Sequence, residues 1–349
     1  MDNLRKTVDK KLKEQNKDLF ESKIVMFWNF AKNNKNWWII SVIVFIIFFF
    51  LQFINIPLLN FISIKEDTVK SLIENRTTNI VTLISVTFAV IGFLIANLAI
   101  KDSYTYNILF KKSSFFPVVY FALSLIVMFI LLSTLKDSFL PIYNARTLIV
   151  GSFLLICVIF CVGYLFTQLV KFTNHKHILK LTKNEFLKEA KENLKIIGRK
   201  QLSEKIVNEL GFSKFSNFRY SPYVKADFRV PKGHIIISDV KINKLTELSS
   251  SIHSKEEILI NNVRLYKEVN ADDSFFYVAP NNIIKHKKLL KKLNSCIVTS
   301  DKPIKFNFES KNYIIQKLNE NIKMNNEKNV EEYFDILFEA FKLQQDFKI

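Results

Sequence analysis

Histidine, cysteine and carboxylate are the side chains from which a catalytic or metal centre would have to be built, and their spacing here argues against one. The five histidines, His175, His177, His234, His253 and His286, are dispersed along the chain. Only the run His175-Lys176-His177 brings two together, and two imidazoles without further ligands do not make a structural metal set. Cys157 and Cys161 stand one helical turn apart inside an apolar run, where thiols pack as small hydrophobes. With Cys296 they make three cysteines, which form no disulfide framework. Asp272 and Asp273 read as an exposed pair in a turn. Only six glycines are present, which disfavours phosphate-cradling loops that need close backbone approach. No catalytic residue, cofactor or metal is assigned, and an enzyme is not expected.

Two other patterns carry information. Thr78, Thr82, Ser85, Ala89, Gly92, Ala96 and Ala99 recur at alternating steps of four and three, a heptad stripe of small residues. In lipid, small side chains let helices approach closely, and a period near 3.5 predicts a left-handed crossing of roughly +20°. The stripe packs either on another span of the same subunit or at an oligomer axis, with the Thr78, Thr82 and Ser85 hydroxyls lining a narrow pore. The second pattern is basic. Lys171, Lys176, Lys180 and Lys183 follow the last apolar run, and Lys285, Lys287, Lys288, Lys291 and Lys292 alternate with Ile284, Leu289, Leu290 and Leu293. Such clusters suit an anionic leaflet, a negatively charged ligand or an acidic protein partner, or they are simply solvated faces. Nucleic acid is disfavoured as a partner.

These residues are positioned by a sharply divided chain of 349 residues with 50 Lys+Arg against 32 Asp+Glu, a net charge of +18. Four stretches without a charged side chain, 37–59, 79–100, 115–135 and 147–170, reach the roughly 20 residues that a membrane-spanning helix needs. Arg5, Lys6, Lys10, Lys11, Lys13, Lys17, Lys23, Lys32 and Lys35 precede the first, and Lys171 to Lys183 follow the fourth. By the positive-inside tendency both termini face the cytosol, in the inner membrane of a bacterium. Trp28, Trp37 and Trp38 cluster at that inner boundary. Phe20, Ile24, Phe27 and Trp28 share one helical face, for the inner leaflet or for the cytosolic domain. With no ionisable group inside the four stretches and few helix-breaking residues, a coupled transporter is disfavoured.

The expected fold class is a membrane all-α four-helix domain plus a C-terminal cytosolic α+β domain. Residues 1–36 form a basic, amphipathic N-terminal segment, 37–170 the spans, 171–211 a helical stalk broken at Gly198, and 212–349 the α+β domain. Within the last, strands are expected at 228–230, 234–238, 257–260, 275–278, 296–299 and 304–308. Helices are expected at 239–249, 282–293, 313–318 and 330–342.

The run from Thr82 to Leu132, opening Thr-Leu-Ile-Ser-Val-Thr-Phe-Ala-Val, and the stretch from Gly233 through Asp239 to Leu248 resemble a group of uncharacterised bacterial predicted membrane proteins. Those have paired spans and a soluble C-terminal domain, so the resemblance implies architecture and no reaction. The expected function is a homo-oligomeric membrane channel or membrane-perturbing effector, gated by a cytosolic sensor domain. Analogy of layout alone links it to bacterial stress or antiviral defence. The alternative is a non-conducting scaffold whose cytosolic domain binds a partner or anionic lipid.

Overall fold

The computed structural model describes residues 3–31, 37–51, 66–101, 103–112, 114–135, 137–138, 141–172, 174–210, 213–214, 224–225, 233, 235–250, 258–261, 263–270, 275–278 and 283–348. The strand expected at 228–230, the far end of the first span, His234, His253 and the Asp272-Asp273 pair lie outside them. The chain divides into two compact units: residues 21–183 form one, and residues 1–20 together with 184–349 form the other.

The first unit is helical: α2 (Lys23–Ala31), α3 (Trp37–Leu51), α4 (Glu66–Lys101), α5 (Ser103–Lys112), α6 (Phe115–Leu135) and α7 (Pro141–Lys171). Three stretches within it, Thr68–Phe93, Phe115–Leu135 and Tyr143–Lys171, are long and apolar enough to cross a membrane. This is a membrane protein by that criterion. Helix α3 adds fifteen residues without a charge. The interior joins Ile73, Ile80 and Ile84 of α4 to Leu125 and Phe129 of α6 and Leu148 and Val158 of α7. A second cluster gathers Ile91 and Ile95 with Ile108, Leu109, Leu165, Leu169 and Phe172. On α2, Ile24, Val25, Met26, Phe27 and Phe30 are all exposed.

The second unit is α+β. Helix α8 (His175–Glu209) enters it, followed by β1 (Ser213–Lys214), β2 (Val224–Lys225), β3 (Ile236–Val240), α9 (Ile242–Ser250), β4 (Ile258–Ile260), β5 (Phe276–Val278), α10 (Ile283–Asn294), β6 (Ile297–Ser300), α11 (Glu309–Lys323) and α12 (Glu327–Gln345). Four strands run in the order β1-β4-β5-β2, with only the β1–β4 pair parallel. Strands β3 and β6 form a separate antiparallel ribbon, with a register shift between Ile237 and Asp239. Apolar residues from β3, β4, β5, β6 and α10 meet Leu202, Ile206 and Val207 of α8 in one core.

That core is completed from the other end of the chain. Helix α1 (Leu4–Gln15) inserts Leu4, Val8 and Leu12, spaced four apart on one face and each fully buried. Its position is fixed by a paired contact in which the Arg199 guanidinium donates to Asp9 at 2.6 and 3.2 Å. Just beyond it, the Asn16 side chain exchanges two hydrogen bonds with the Lys348 backbone, at 2.8 and 3.2 Å. Asp18 accepts from Lys191, and Lys195 lies over the Phe20 ring.

Several expectations are corrected here. The stalk does not continue the fourth span, because α7 stops at Lys171 and α8 starts anew at His175, where the Asn174 carboxamide accepts from the Lys176 amide. Helix α8 also passes through Gly198 without a break. A Cβ there would lie 2.8 Å from Leu12 and from Phe347, so the glycine permits close approach and does not end a helix. Residues 304–308 are not a strand; the segment is irregular and leads into α11, which starts earlier than expected and runs longer. The loop between the second and third spans carries α5.

Removing the α1 contribution should unfold the second unit selectively. Leu12→Ala is expected to cost about 2–5 kcal/mol, read as a lower melting transition of the second unit in the full chain while the helical unit is unchanged. A chain lacking residues 1–20 should expose β4 and β5 to limited proteolysis.

Candidate functional site

Helix α4 has two patterned faces with the same heptad step. Val69, Ile73, Ile80, Ile84, Ile91 and Ile95 form one, and all are buried within the unit. β-Branched side chains hold few rotamers in a helix, so packing them costs little side-chain entropy. The small-residue stripe lies about 140° around the helix from them at 100° per residue. Thr78, Thr82, Ser85, Ala89, Gly92 and Ala96 are exposed, and the side chain of Ala99 is outside the described residues. A Cβ added at Gly92 would meet nothing within 4 Å. Among the described residues, no other helix of the unit covers the stripe from Thr78 to Ala96.

The hydroxyls on this face are oriented by their own helix. Thr78 donates to the Glu74 carbonyl at 3.2 Å and Thr82 to the Thr78 carbonyl at 2.9 Å. With the proton turned inward, the oxygen lone pairs are what the face presents outward.

Helix α4 starts well before the uncharged run at 79–100, and its apolar stretch from Thr68 includes Lys70, Glu74 and Arg76, while that of α7 includes Arg146 and Lys171. Arg76 donates to the Ser152 hydroxyl, which itself donates to Leu148 at 2.6 Å. Thr77 reaches both Ile73 of its own helix and the Phe129 carbonyl of α6, at 2.7 and 3.3 Å. Lys70 pairs with Asp137 at 2.8 Å. These contacts tie α4, α6 and α7 at one end of the bundle. Lys70 and Arg76 lie before the span expected at 79–100, so the sequence pattern offers no sign of these contacts.

The basic clusters sit on exposed faces. Lys171 closes α7, where a cation suits the carbonyl end of a helix, and Lys176 and Lys180 are exposed on α8 with Lys183 partly covered. On α10 the amphipathic reading holds for the described side chains: Leu290 and Leu293 enter the core while Lys288, Lys291 and Lys292 face out. The side chains of Lys285 and Lys287 are outside the described residues.

The second unit contains polar anchors that sequence reasoning missed. Glu189, buried on α8, accepts from the backbone amides of Ser310 at 2.9 Å and Lys311 at 3.4 Å. Those are orphan donors of the first turn of α11, so a carboxylate from another helix caps it and also meets its positive dipole end. Asn193, one turn further, donates to and accepts from the Asn307 backbone at 2.7 and 3.2 Å. The Arg199 guanidinium is opposed by burial but held further toward its charged form by Asp9 and Tyr266. Burial pushes the Cys296 thiol up, against Lys244 and Lys241. Among the described residues no three His, Cys, Asp or Glu side chains are grouped to hold a metal ion.

No family model, no curated protein and no solved structure matches this chain. Glu189→Ala should leave the Ser310 and Lys311 amides without their acceptor, at about 1–3 kcal/mol. Hydrogen exchange at those two amides should quicken while the amides of α12 stay protected.

Proposed function

We propose that this chain is a four-span membrane protein that self-associates through the exposed small-residue face of α4, forming a channel or membrane-perturbing assembly controlled by its α+β unit. The observation that carries this reading is the orientation of α4. Its bulky β-branched face is used inside the subunit, and its smooth face, with outward hydroxyl oxygens, is left over for a neighbour. Dispersion between closely approaching backbones is a main source of helix association in lipid, and a face of Thr, Ser, Ala and Gly allows that approach.

The span number rests on parity. Residues 1–20 and 184–349 contribute to one hydrophobic core, which favours one compartment for both and an even number of crossings between them. Three long apolar helices supply three. Helix α3, about 22 Å of uncharged helix at 1.5 Å per residue, supplies the fourth together with the apolar residues that follow it in sequence. The lysine clusters flanking the first and fourth spans favour the cytosol for both ends.

Because Gly92 and Ala89 are exposed among the described residues, Gly92→Leu and Ala89→Leu should spare the fold of the monomer and abolish assembly and conductance. Subunit counting in detergent and current recording in planar bilayers check this; intact oligomers and unchanged currents from both variants would remove the proposal. If a chain joining residues 1–20 to 184–349 reproduces the cellular activity without any span, the protein acts as a membrane-tethered binding module. Tags placed at residues 3 and 346 should both be protected in right-side-out vesicles; exposure of one alone defeats the parity argument, and exposure of both defeats the cytosolic orientation.

A further inference from the structure

The last helix of the second unit, α12, is amphipathic beyond what the unit covers. It buries Tyr333 and Ile336, yet Phe334, Phe338 and Phe341 are 54%, 55% and 51% exposed. Steps of four and three put the three rings on one face. Along one flank of that face stand Glu331, Asp335 and Lys342, all exposed, and the Lys342 ammonium lies 4.7 Å from the centre of the Phe338 ring. The other flank carries Val330 and Leu337, both half-buried.

The charge of this helix selects its occupant. In a chain of net +18, α12 holds five carboxylates against two lysines, a net of −3. An anionic leaflet repels such a helix. A second copy of the same helix does not, provided it runs antiparallel. A two-fold axis perpendicular to two antiparallel helices brings the same flank of each together in reverse order, whereas parallel helices oppose unlike flanks. With the axis midway between Phe334 and Phe341, Phe334 of one copy faces Phe341 of the other. Lys342 then falls between Glu331 and Asp335 of the second copy, about 3 Å along the axis from each at 1.5 Å per residue. The phenylalanine faces close on one another and both lysines meet carboxylates. A parallel pair would set each charged flank against Val330 and Leu337.

We infer that the Phe334–Phe338–Phe341 face of α12 is a homotypic interface, an antiparallel helix pair joining the soluble units of two copies of this chain. It lies on a different unit from the small-residue face of α4 and does not depend on whether the spans conduct. Failure of one interface is therefore distinguishable from failure of the other.

Cysteine cross-linking of the full chain in nanodiscs tests it, with linked peptides mapped to separate the products from those of Cys157, Cys161 and Cys296. Phe338→Cys should link to itself, because its two copies are nearly level. Phe334→Cys and Phe341→Cys should each fail alone, with about 10 Å of axial separation at 1.5 Å per residue, and link when the two variants are mixed. In the Phe338→Cys chain, Lys342→Glu should lower the linked yield about tenfold by setting like charges together. Adding Glu331→Lys and Asp335→Lys should restore it. Equal self-linking at all three positions, or none at Phe338→Cys, overturns the proposal. So does a solvatochromic label at Phe338→Cys that reports burial only in anionic nanodiscs and without self-linking.

Discussion

The burial of Leu4, Val8 and Leu12 is the constraint on which the rest of this molecule depends. These three side chains from the first helix enter the same interior as Phe275, Phe276 and Leu293, more than 260 residues away in sequence. The Asp9–Arg199 pair fixes the register of α1, because a two-point contact from a planar guanidinium tolerates little sliding. The helical unit is thus an insertion, in sequence, into the α+β unit.

Within the helical unit, α4 performs two tasks on two faces. Its isoleucines are large and stiff, and they fill the space between α6 and α7. Its threonines, alanines and glycine would leave voids there, because dispersion falls away steeply with separation. Polar side chains at one end of α4 add direction to this packing, since the Arg76 and Thr77 contacts fix which helix lies on which side. The α+β unit uses the same logic with charge, where Glu189 and Asn193, one turn apart on α8, hold the approach to α11 and cap it.

The sequence made the apolar helices legible because length and lack of charge are sufficient signals on their own. It also displayed both stripes of α4, but their periods are equal, and only the neighbours decide which is covered. Gly198 shows a different limit: a glycine between two helical patterns reads as a stop, and its true reason, the tips of Leu12 and Phe347, lies far away in sequence. The Leu4-Val8-Leu12 spacing lies in a segment whose basic residues indicate only on which side of a membrane it belongs. The helix expected at 330–342 is present in α12, while the exposure of its three phenylalanines is visible only in the structure. The strand expected at 304–308 failed because alternating Ile304, Phe306 and Phe308 satisfy a strand pattern, whereas Asn193 takes the backbone of Asn307.

The closure of the core by α1 has a consequence for biosynthesis. This helix leaves the ribosome well before its partners in β5, α10 and β6, with the whole helical unit synthesised in between. Contacts this distant in sequence form late. Throughout translation the leucine face of α1 has no native surface to cover it, and a chain stalled before residue 275 carries that face uncovered. Such nascent fragments are natural substrates for chaperones and proteases.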